Sequence, residues 1–420
     1  MKGDLEGDRM AEAAGRIAAA QSGLSCPLLP VYDVAVVGAS SAGLYAAELL
    51  ARAGRRVAVF EQQAELAPSR RTLIVTPQLQ RLLGNLPDSV VLHRIPVMAV
   101  ASRSAAARVA LRDPDLIVER GELTRLLGGR AQQAGAELHF GYSLQSLDPH
   151  PDGASLLLRA AGGRVDRVTA RAVVGADGLS GQVAAAAGLE RPPAVPILQA
   201  EVRLPPGWDP AVTQVWFDSR DTRFFYWLIP ESTETGVAGL VGDGRFETRA
   251  ALQHFLDLHG LRAAAWQGAR VALHHPRMRP WGQIGAARVL LVGDAAGQVK
   301  VSTVGGTVSG LVGAAAAAQA LVHDTPYARE LRPLKRELDL HWLIRHILDR
   351  LDNPGYDRLI GSLTPRTREL LGRYHRDAMA GVFWRVLLLQ PGLLALGARL
   401  LVRRSNDETL ERWNVRTFQR

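Results

Sequence analysis

The sequence predicts an α/β protein carrying an inserted antiparallel sheet and a helical C-terminal region. Three observations carry this. Tyr32 to Glu61 reads as strand, glycine turn, helix and second strand. Between Ile197 and Gly242, strand patterns follow one another without helices between them. From Pro326 to Ser405 the pattern is mostly helical. Strands alternating with helices make a parallel sheet, whereas strands in succession make an antiparallel one.

In the first stretch, Val34 to Val37 is an apolar run of buried-strand type. Gly38-Ala39-Ser40-Ser41-Ala42-Gly43 then turns the chain into a helix ending near Gly54, and Val57 to Phe60 is the next strand, closed by Glu61. This is the context of a Rossmann-like dinucleotide fingerprint. Gly38 permits the tight turn, Gly43 lets helix and strand pack closely, and Ser40 stands at the middle glycine position. The helix N-terminus offers free N–H groups and a positive dipole end to a pyrophosphate. Glu61 lies where a carboxylate accepts hydrogen bonds from a ribose. The bland alternative is a packing turn of a plain strand–helix–strand unit.

Further along, Thr72 to Val75 is expected as a strand, Pro77 to Gly84 as a short helix, and His93 to Val100 as extended. Arg120, Leu123 and Leu127 have the spacing of an amphipathic helix leading to Gly135, followed by a strand at Ala136 to Phe140. Leu156 to Arg159 and Val165 to Ala170 flank Ala-Gly-Gly as a hairpin. Val173 and Val174 are expected as a brief buried strand that stops at Gly175-Ala176-Asp177-Gly178. The successive strands are Gln199 to Leu204, Thr213 to Phe217, Phe224 to Ile229 and Gly236 to Val241, with a helix from Arg249 to His259. Val289 to Val292 is a buried strand ending at Gly293-Asp294-Ala295-Ala296-Gly297, and a long apolar helix from Thr307 to His323 follows Gly305-Gly306.

The division read from these patterns is a leader over 1–31, a discontinuous nucleotide-binding domain over 32–196 with 270–325, an antiparallel substrate domain over 197–269, and a helical region over 326–420. The leader has an Ala-rich stretch, Met10 to Ala20, interrupted by Glu12 and Arg16, too polar and short for a signal segment; Met10 is an alternative start. Ala380 to Val402 is long enough to span a bilayer, with Arg385, Gln390 and Arg399 as its strongly polar residues. Pro391-Gly392 breaks it at the centre, which favours a helical pair packed on the body or dipping into a membrane face.

At 420 residues the chain has room for two or three structural units. Its net charge of +9 rests on arginine: Lys2, Lys300 and Lys335 are the lysines among 50 basic residues. No basic block alternates with aromatics, so a nucleic-acid groove is not expected. The mildly basic surface suits anionic lipid or phosphorylated compounds. Cys26 is the single cysteine, which leaves no disulfide framework or zinc cluster and fits a reducing cytosol. No metal site is expected. His274-His275 could place a proton donor near a substrate, whereas His341 and His346, five apart, have the wrong helical spacing for a shared metal. No catalytic residue is assigned, because no triad or paired-carboxylate signal emerges.

In order, Gly38…Gly43, Gly175-Ala-Asp177-Gly178 and Gly293-Asp294-Ala-Ala-Gly297 resemble the three signatures of FAD-dependent hydroxylases and their relatives, the p-hydroxybenzoate hydroxylase-like superfamily. The resemblance spans Tyr32 to Val322 and implies that FAD is the cofactor. It further implies that Gly38, Ser40, Ser41, Ala42, Gly43 and Glu61 hold the adenosine end, and that Arg120 contacts the flavin nucleotide. Asp177 and Gly178 are linked in the family to FAD and to the reducing nicotinamide. Asp294, with Gly293 and Gly297, is implied at the ribityl chain, and Gly305 and Gly306 would present N–H groups to the flavin's pyrimidine edge.

Within this superfamily, GDAAGQVKVSTVGG over Gly293 to Gly306 is similar to the geranylgeranyl reductase pattern, with Val301 replacing a proline and Val304 a glycine. Phe225-Tyr226-Trp227-Leu228-Ile229-Pro230 resembles the Tyr-x-Trp-x-Phe-Pro substrate motif of the same family. The implied activity is reduction of C=C bonds in an isoprenoid or similar lipid by hydride from reduced flavin, with NADPH, NADH or another donor as reductant. Phe225, Trp227 and Ile229 would then face an apolar chain, or would be ordinary sheet core. Some family members carry a cysteine shortly after the ribose-binding acid; this chain has none there. The alternatives are a monooxygenase acting on an aromatic or polyketide substrate, and a non-catalytic flavin-binding lipid carrier. A halogenase is disfavoured, since the lysine those enzymes need has no counterpart between Lys2 and Lys300. The expected setting is cytoplasmic with peripheral membrane contact; oligomeric state is not readable.

Overall fold

A computed structural model describes residues 31–66, 71–244, 247–390 and 392. The leader, Cys26, and the Ala380 to Val402 segment beyond Gln390 (Gly392 apart) lie outside the described residues. The strands are β1 (Val31–Val37), β2 (Val57–Glu61), β3 (Thr72–Val75), β4 (Val91–Ala101), β5 (Ala106–Glu119), β6 (Glu137–Phe140), β7 (Tyr142–His150) and β8 (Gly153–Ala160). They continue with β9 (Val165–Gly175), β10 (Ala194–Arg203), β11 (Val212–Trp216), β12 (Tyr226–Pro230), β13 (Thr235–Val241), β14 (Ala263–Ala272), β15 (Trp281–Ile284) and β16 (Ala287–Leu291). The helices are α1 (Ser41–Arg52), α2 (Gln78–Leu83), α3 (Arg120–Gln133), α4 (Gln182–Ala186), α5 (Thr248–Leu258), α6 (Thr307–Val322), α7 (Tyr327–Glu330), α8 (Arg332–Leu348), α9 (Asn353–Gly361), α10 (Pro365–Arg373) and α11 (Phe383–Leu389).

The first sheet runs β15-β16-β9-β1-β2-β6, with the β7–β8 hairpin attached to β9. Its central strands β16, β9, β1, β2 and β6 are parallel neighbours, with Val36 opposite Val59 on one side and Val174 on the other. Both faces are buried, which is why β1 and β2 read as continuous apolar runs rather than alternating ones. One face packs on α1, α3 and α6 through residues such as Val34, Leu44, Leu123 and Leu311. The other, with Ala35, Val37 and Val173, packs on the hairpin through Leu156 and Leu158.

The second sheet runs β14-β10-β13-β12-β11-β4-β5-β3. It is antiparallel except where β11 meets β4. Three of its strands (β3, β4 and β5) precede the inserted region in sequence, so the chain passes between the two sheets four times. One face, with Ala200, Tyr226, Leu228 and Leu240, is covered by Leu252, Phe255 and Leu256 of α5. The other face carries Phe225, Trp227, Ile229 and Val241 and turns toward Val301 and Val304. The expected strands at Thr72–Val75 and Thr213–Phe217 and the helix from Thr307 fall where the pattern places them, within a residue at each end. Val173-Val174 is the end of the long strand β9 rather than a separate one.

Candidate functional site

Two cavities bear on the site, one at the edge of the parallel sheet and one between the second sheet and the start of α6. The first, of about 370 Å³, opens beside the C-terminal ends of β1 and β9 and is lined by Gly38, Ser40, Glu61, Arg120, Asp177 and Gly178, among others. This is the crevice where open α/β sheets receive ligands.

Its floor is backbone. Gly38 has φ +101°, and a Cβ there would fall 2.5 Å from the Ala176 carbonyl oxygen. A Cβ on Gly43 would meet the Gly38 oxygen at 2.3 Å and the Ala176 side chain at 2.7 Å. The first and second motifs therefore interlock, and a side chain at either glycine would push them apart. Ser40 does more than leave room for a ligand: its hydroxyl accepts the Gly43 N–H at 3.2 Å and caps α1. Ser41 lies 3.5 Å from the Thr124 hydroxyl of α3, and Ala42 is buried beneath the turn. The Ala39 N–H donates to Glu61 Oε2 at 2.7 Å, so the carboxylate at the end of β2 fixes the glycine turn and keeps lone pairs toward the cleft.

At the opposite wall, Asp177 Oδ2 accepts the Val183 N–H at 3.0 Å, while Oδ1 is buried with no partner in the protein. Burial pushes this carboxyl above its ordinary range, against the pull of hydrogen bonds from Val183 and its neighbours. A buried acceptor without a donor is costly, and a ligand hydroxyl would satisfy it. Arg120 sits at the start of α3, where its N–H donates to the Arg71 carbonyl at 2.8 Å. That helix is capped by Glu119, whose carboxylate accepts the N–H groups of Gly121 at 3.0 Å and Glu122 at 2.7 Å, and of Arg71 at 3.1 Å.

The third motif packs Gly293 beneath Ala42 of the first motif and sets Asp294 beside Gly306. Gly293 and Gly297 have φ +63° and +61°, and the Gly293 N–H donates to Gln298 Oε1 at 2.7 Å. Burial raises the Asp294 carboxyl, opposed by the Ala272 main chain and the Arg120 and Arg71 charges. A Cβ on Gly306 would lie 3.3 Å from Asp294 Oδ1, so this aspartate and the glycine pair are neighbours. Arg71 reaches toward the same point. Its Nε is buried without a partner, and the sequence offered no signal for it.

The second cavity, of about 300 Å³, begins at Gly305, Gly306 and Thr307 and is walled by Phe225, Trp227 and Ile229. The Trp227 indole lies over Gly239 on β13, where a Cβ would meet it at 2.0 Å. Ile74, Val100, Ile197 and Val215 extend an apolar wall, with Arg71, Gln199, Thr213, Lys300, Ser302 and Arg376 among its polar positions. Lys300 pairs with Asp377, which also accepts from Thr76. Arg376 pairs with Asp115 at 2.7 Å. Burial lowers the Lys300 ammonium despite Asp377; burial also opposes ionisation of Asp377, yet Lys300 and Thr76 hold that carboxyl below its usual range. These groups were missed because they come from segments far apart in sequence. His274 is occupied elsewhere, bonded to Asp339 at 2.8 Å. Among the described residues no group of His, Cys, Asp and Glu has the geometry of a metal site.

A parallel-sheet crevice floored by interlocked glycines, with an unpaired buried carboxylate oxygen on its wall, is the form of a dinucleotide-binding site. A family model described as FAD binding domain matches residues 31–324, and the chain belongs to that family: it is an FAD-dependent oxidoreductase. The residues fit the group, since Asp177 Oδ1 and Arg71 Nε lack partners and the Gly38 turn leaves backbone open to the cleft. Among curated proteins, the chain is 29% identical over 359 residues to digeranylgeranylglycerophospholipid reductase 2 of Methanothermobacter thermautotrophicus, covering 79% of this chain and 91% of that one. It is 31% identical over 188 residues to aklavinone 12-hydroxylase RdmE of Streptomyces purpurascens, covering 38% and 35%. Among solved structures, a geranylgeranyl bacteriochlorophyll reductase-like protein of Thermoplasma acidophilum superposes with TM-score 0.72 at 19% identity, over 86% of this chain and 99% of that one.

Proposed function

We propose that this enzyme saturates carbon–carbon double bonds of an isoprenoid or related lipid held in the cavity beside Gly305 and Gly306. The carrying observation is that cavity: an apolar chamber bounded by Trp227 on one side and the N-terminus of α6 on the other. Bound FAD would supply hydride chemistry. Gly38, Ser40, Ser41, Ala42, Gly43 and Glu61 would hold its adenosine end, Arg120, Asp177 and Gly178 its centre, and Gly293, Asp294 and Gly297 its ribityl chain. Gly305 and Gly306 would present N–H groups at a positive helix end, favouring negative charge there. Phe225, Trp227 and Ile229 would exclude water and hold the chain, each buried CH₂ contributing about 0.8 kcal/mol. The reductant is a nicotinamide or another donor.

Similarity extent supports reductase over monooxygenase: the reductase relative aligns over most of the chain, the hydroxylase over little more than a third. Peripheral membrane contact is part of this reading, because Trp384 and Leu388 of α11 are 68% and 79% exposed. Among the described residues no helix is long and apolar enough to cross a membrane. The test is anaerobic turnover with polyprenyl lipids followed by product mass. A gain of two hydrogens is expected; gain of an oxygen atom with oxygen consumption would sink the reading.

A further inference from the structure

Resting on the reading that an alkene occupies the cavity, we propose that Ser302, His341 and Glu337 form a relay delivering the proton that accompanies hydride transfer. Ser302 follows the third glycine motif and lines the substrate cavity. It also lines a neighbouring cavity of about 280 Å³, into which His341 faces. His341 lies on α8, buried at 2% exposure, with Nδ1 2.5 Å from Ser302 Oγ. Its Nε2 faces two acceptors, the Arg376 carbonyl at 3.0 Å and Glu337 Oε1 at 3.3 Å one helical turn earlier. Nε2 therefore carries hydrogen. Nδ1 is then a lone pair toward Ser302 when the ring is neutral and an N–H toward it when the ring is charged.

Glu337 is anchored as an anion. Burial opposes its ionisation, but His341 and the N–H groups of Ala380 and Met379 outweigh this and hold the carboxyl below its usual range. Those N–H bonds measure 2.8 and 2.6 Å. That carboxylate accepts from Nε2 and holds the ring with Nδ1 aimed at Ser302. The other charged groups lining the neighbouring cavity are Asp113 and Asp115 of β5, and Arg373, His375 and Arg376. Arg376 is tied to Asp115, and Lys300 is tied to Asp377. Removing a proton from either cation would strand a buried anion. Nothing comparable holds the proton on Ser302.

Saturating the double bond takes a hydride at one carbon, from reduced flavin, and a proton at the other. The Ser302 O–H bond breaks as the second C–H bond forms. Oγ takes the Nδ1 proton of the imidazolium, His341 is left neutral with hydrogen on Nε2, and solvent returns one proton. Ser302 is the residue that touches substrate; His341 and Glu337 are positioning residues acting through it.

The test uses holoenzyme with chemically reduced FAD, mixed anaerobically with geranylgeraniol, following flavin reoxidation in H₂O and D₂O. Wild type should reoxidise with a solvent isotope effect. Ser302→Ala and His341→Gln should slow this about 10²-fold, leaving FAD content and the melting temperature near wild type, and Ser302→Thr should restore most of the rate. In the cofactor-free protein, ¹⁵N imidazole shifts should place hydrogen on His341 Nε2 and change at Nδ1 in Ser302→Ala. Wild-type rate and isotope effect in Ser302→Ala would overturn the relay alone. Absence of reoxidation in wild type would overturn the assigned function and the relay with it.

Discussion

The two cavities are built by opposite means. The crevice beside β1 and β9 is floored by main chain, and the glycine motifs that shape that floor sit at the ends of adjacent parallel strands. The apolar cavity is made of side chains from widely separated segments, from Arg71 to Arg376. Backbone cradles tolerate almost no added atoms, whereas a side-chain wall can be repacked. The first should fail outright under small changes; the second should change what it accepts.

Gly43→Val should have the largest effect. The new side chain would collide with the Gly38 carbonyl oxygen, reached by a bare Cβ at 2.3 Å. We expect little soluble protein and no FAD in what remains, read from flavin absorbance per protein. Full FAD content would break the contrast. Trp227→Ala comes next. Truncating a buried Trp costs about 3–5 kcal/mol, yet FAD should be retained while turnover of a polyprenyl substrate falls. Loss of flavin instead would mean the two cavities are not independent.

Glu119→Gln should cost about 1 kcal/mol, as for a weakened helix cap. Burial opposes ionisation of Glu119, but N–H donors from Gly121, Arg71 and Glu122 hold its carboxyl below the ordinary range. Its folded pKa is depressed, so its contribution is complete above the unfolded carboxylate range near about 4.3 and is lost as pH falls through the folded value. Acid unfolding of wild type should therefore be steeper than that of the variant, and equal slopes would remove Glu119 from the account. Val304→Gly should be smallest. Val304 has φ +52°, a left-handed strain of about 1–2 kcal/mol for a non-glycine residue. Relief is offset by lost burial and a looser unfolded chain, leaving a net change within about 1 kcal/mol by thermal unfolding. A larger loss would assign the turn's stability to the side chain.

The same contrast explains what could be read from sequence. Gly38, Gly43 and Gly293 announce themselves because a backbone requirement is local and only glycine meets it. Phe225, Trp227 and Ile229 were legible as one face of a strand, since alternation survives in sequence. Strand β5 was not, because Arg112-Asp113-Pro114-Asp115 interrupts its apolar pattern, although Asp115 is buried against Arg376. Nor was β14, whose Ala-Trp-Gln-Gly-Ala-Arg run is half exposed and lacks alternation. Ser302, His341 and Arg376 meet only through the packing of α8 and the segment after α10 on the second sheet. No periodicity encodes such a meeting.

The pairs Lys300–Asp377 and Arg376–Asp115 tie that late segment across the apolar cavity. During synthesis, the three glycine motifs emerge and can associate well before Arg376 and Asp377 leave the ribosome. Nascent chains should thus become competent to take up flavin before the apolar cavity is sealed. Chains arrested after α6 has cleared the ribosome but before Arg376 and Asp377 emerge should be yellow yet leave that cavity open to water.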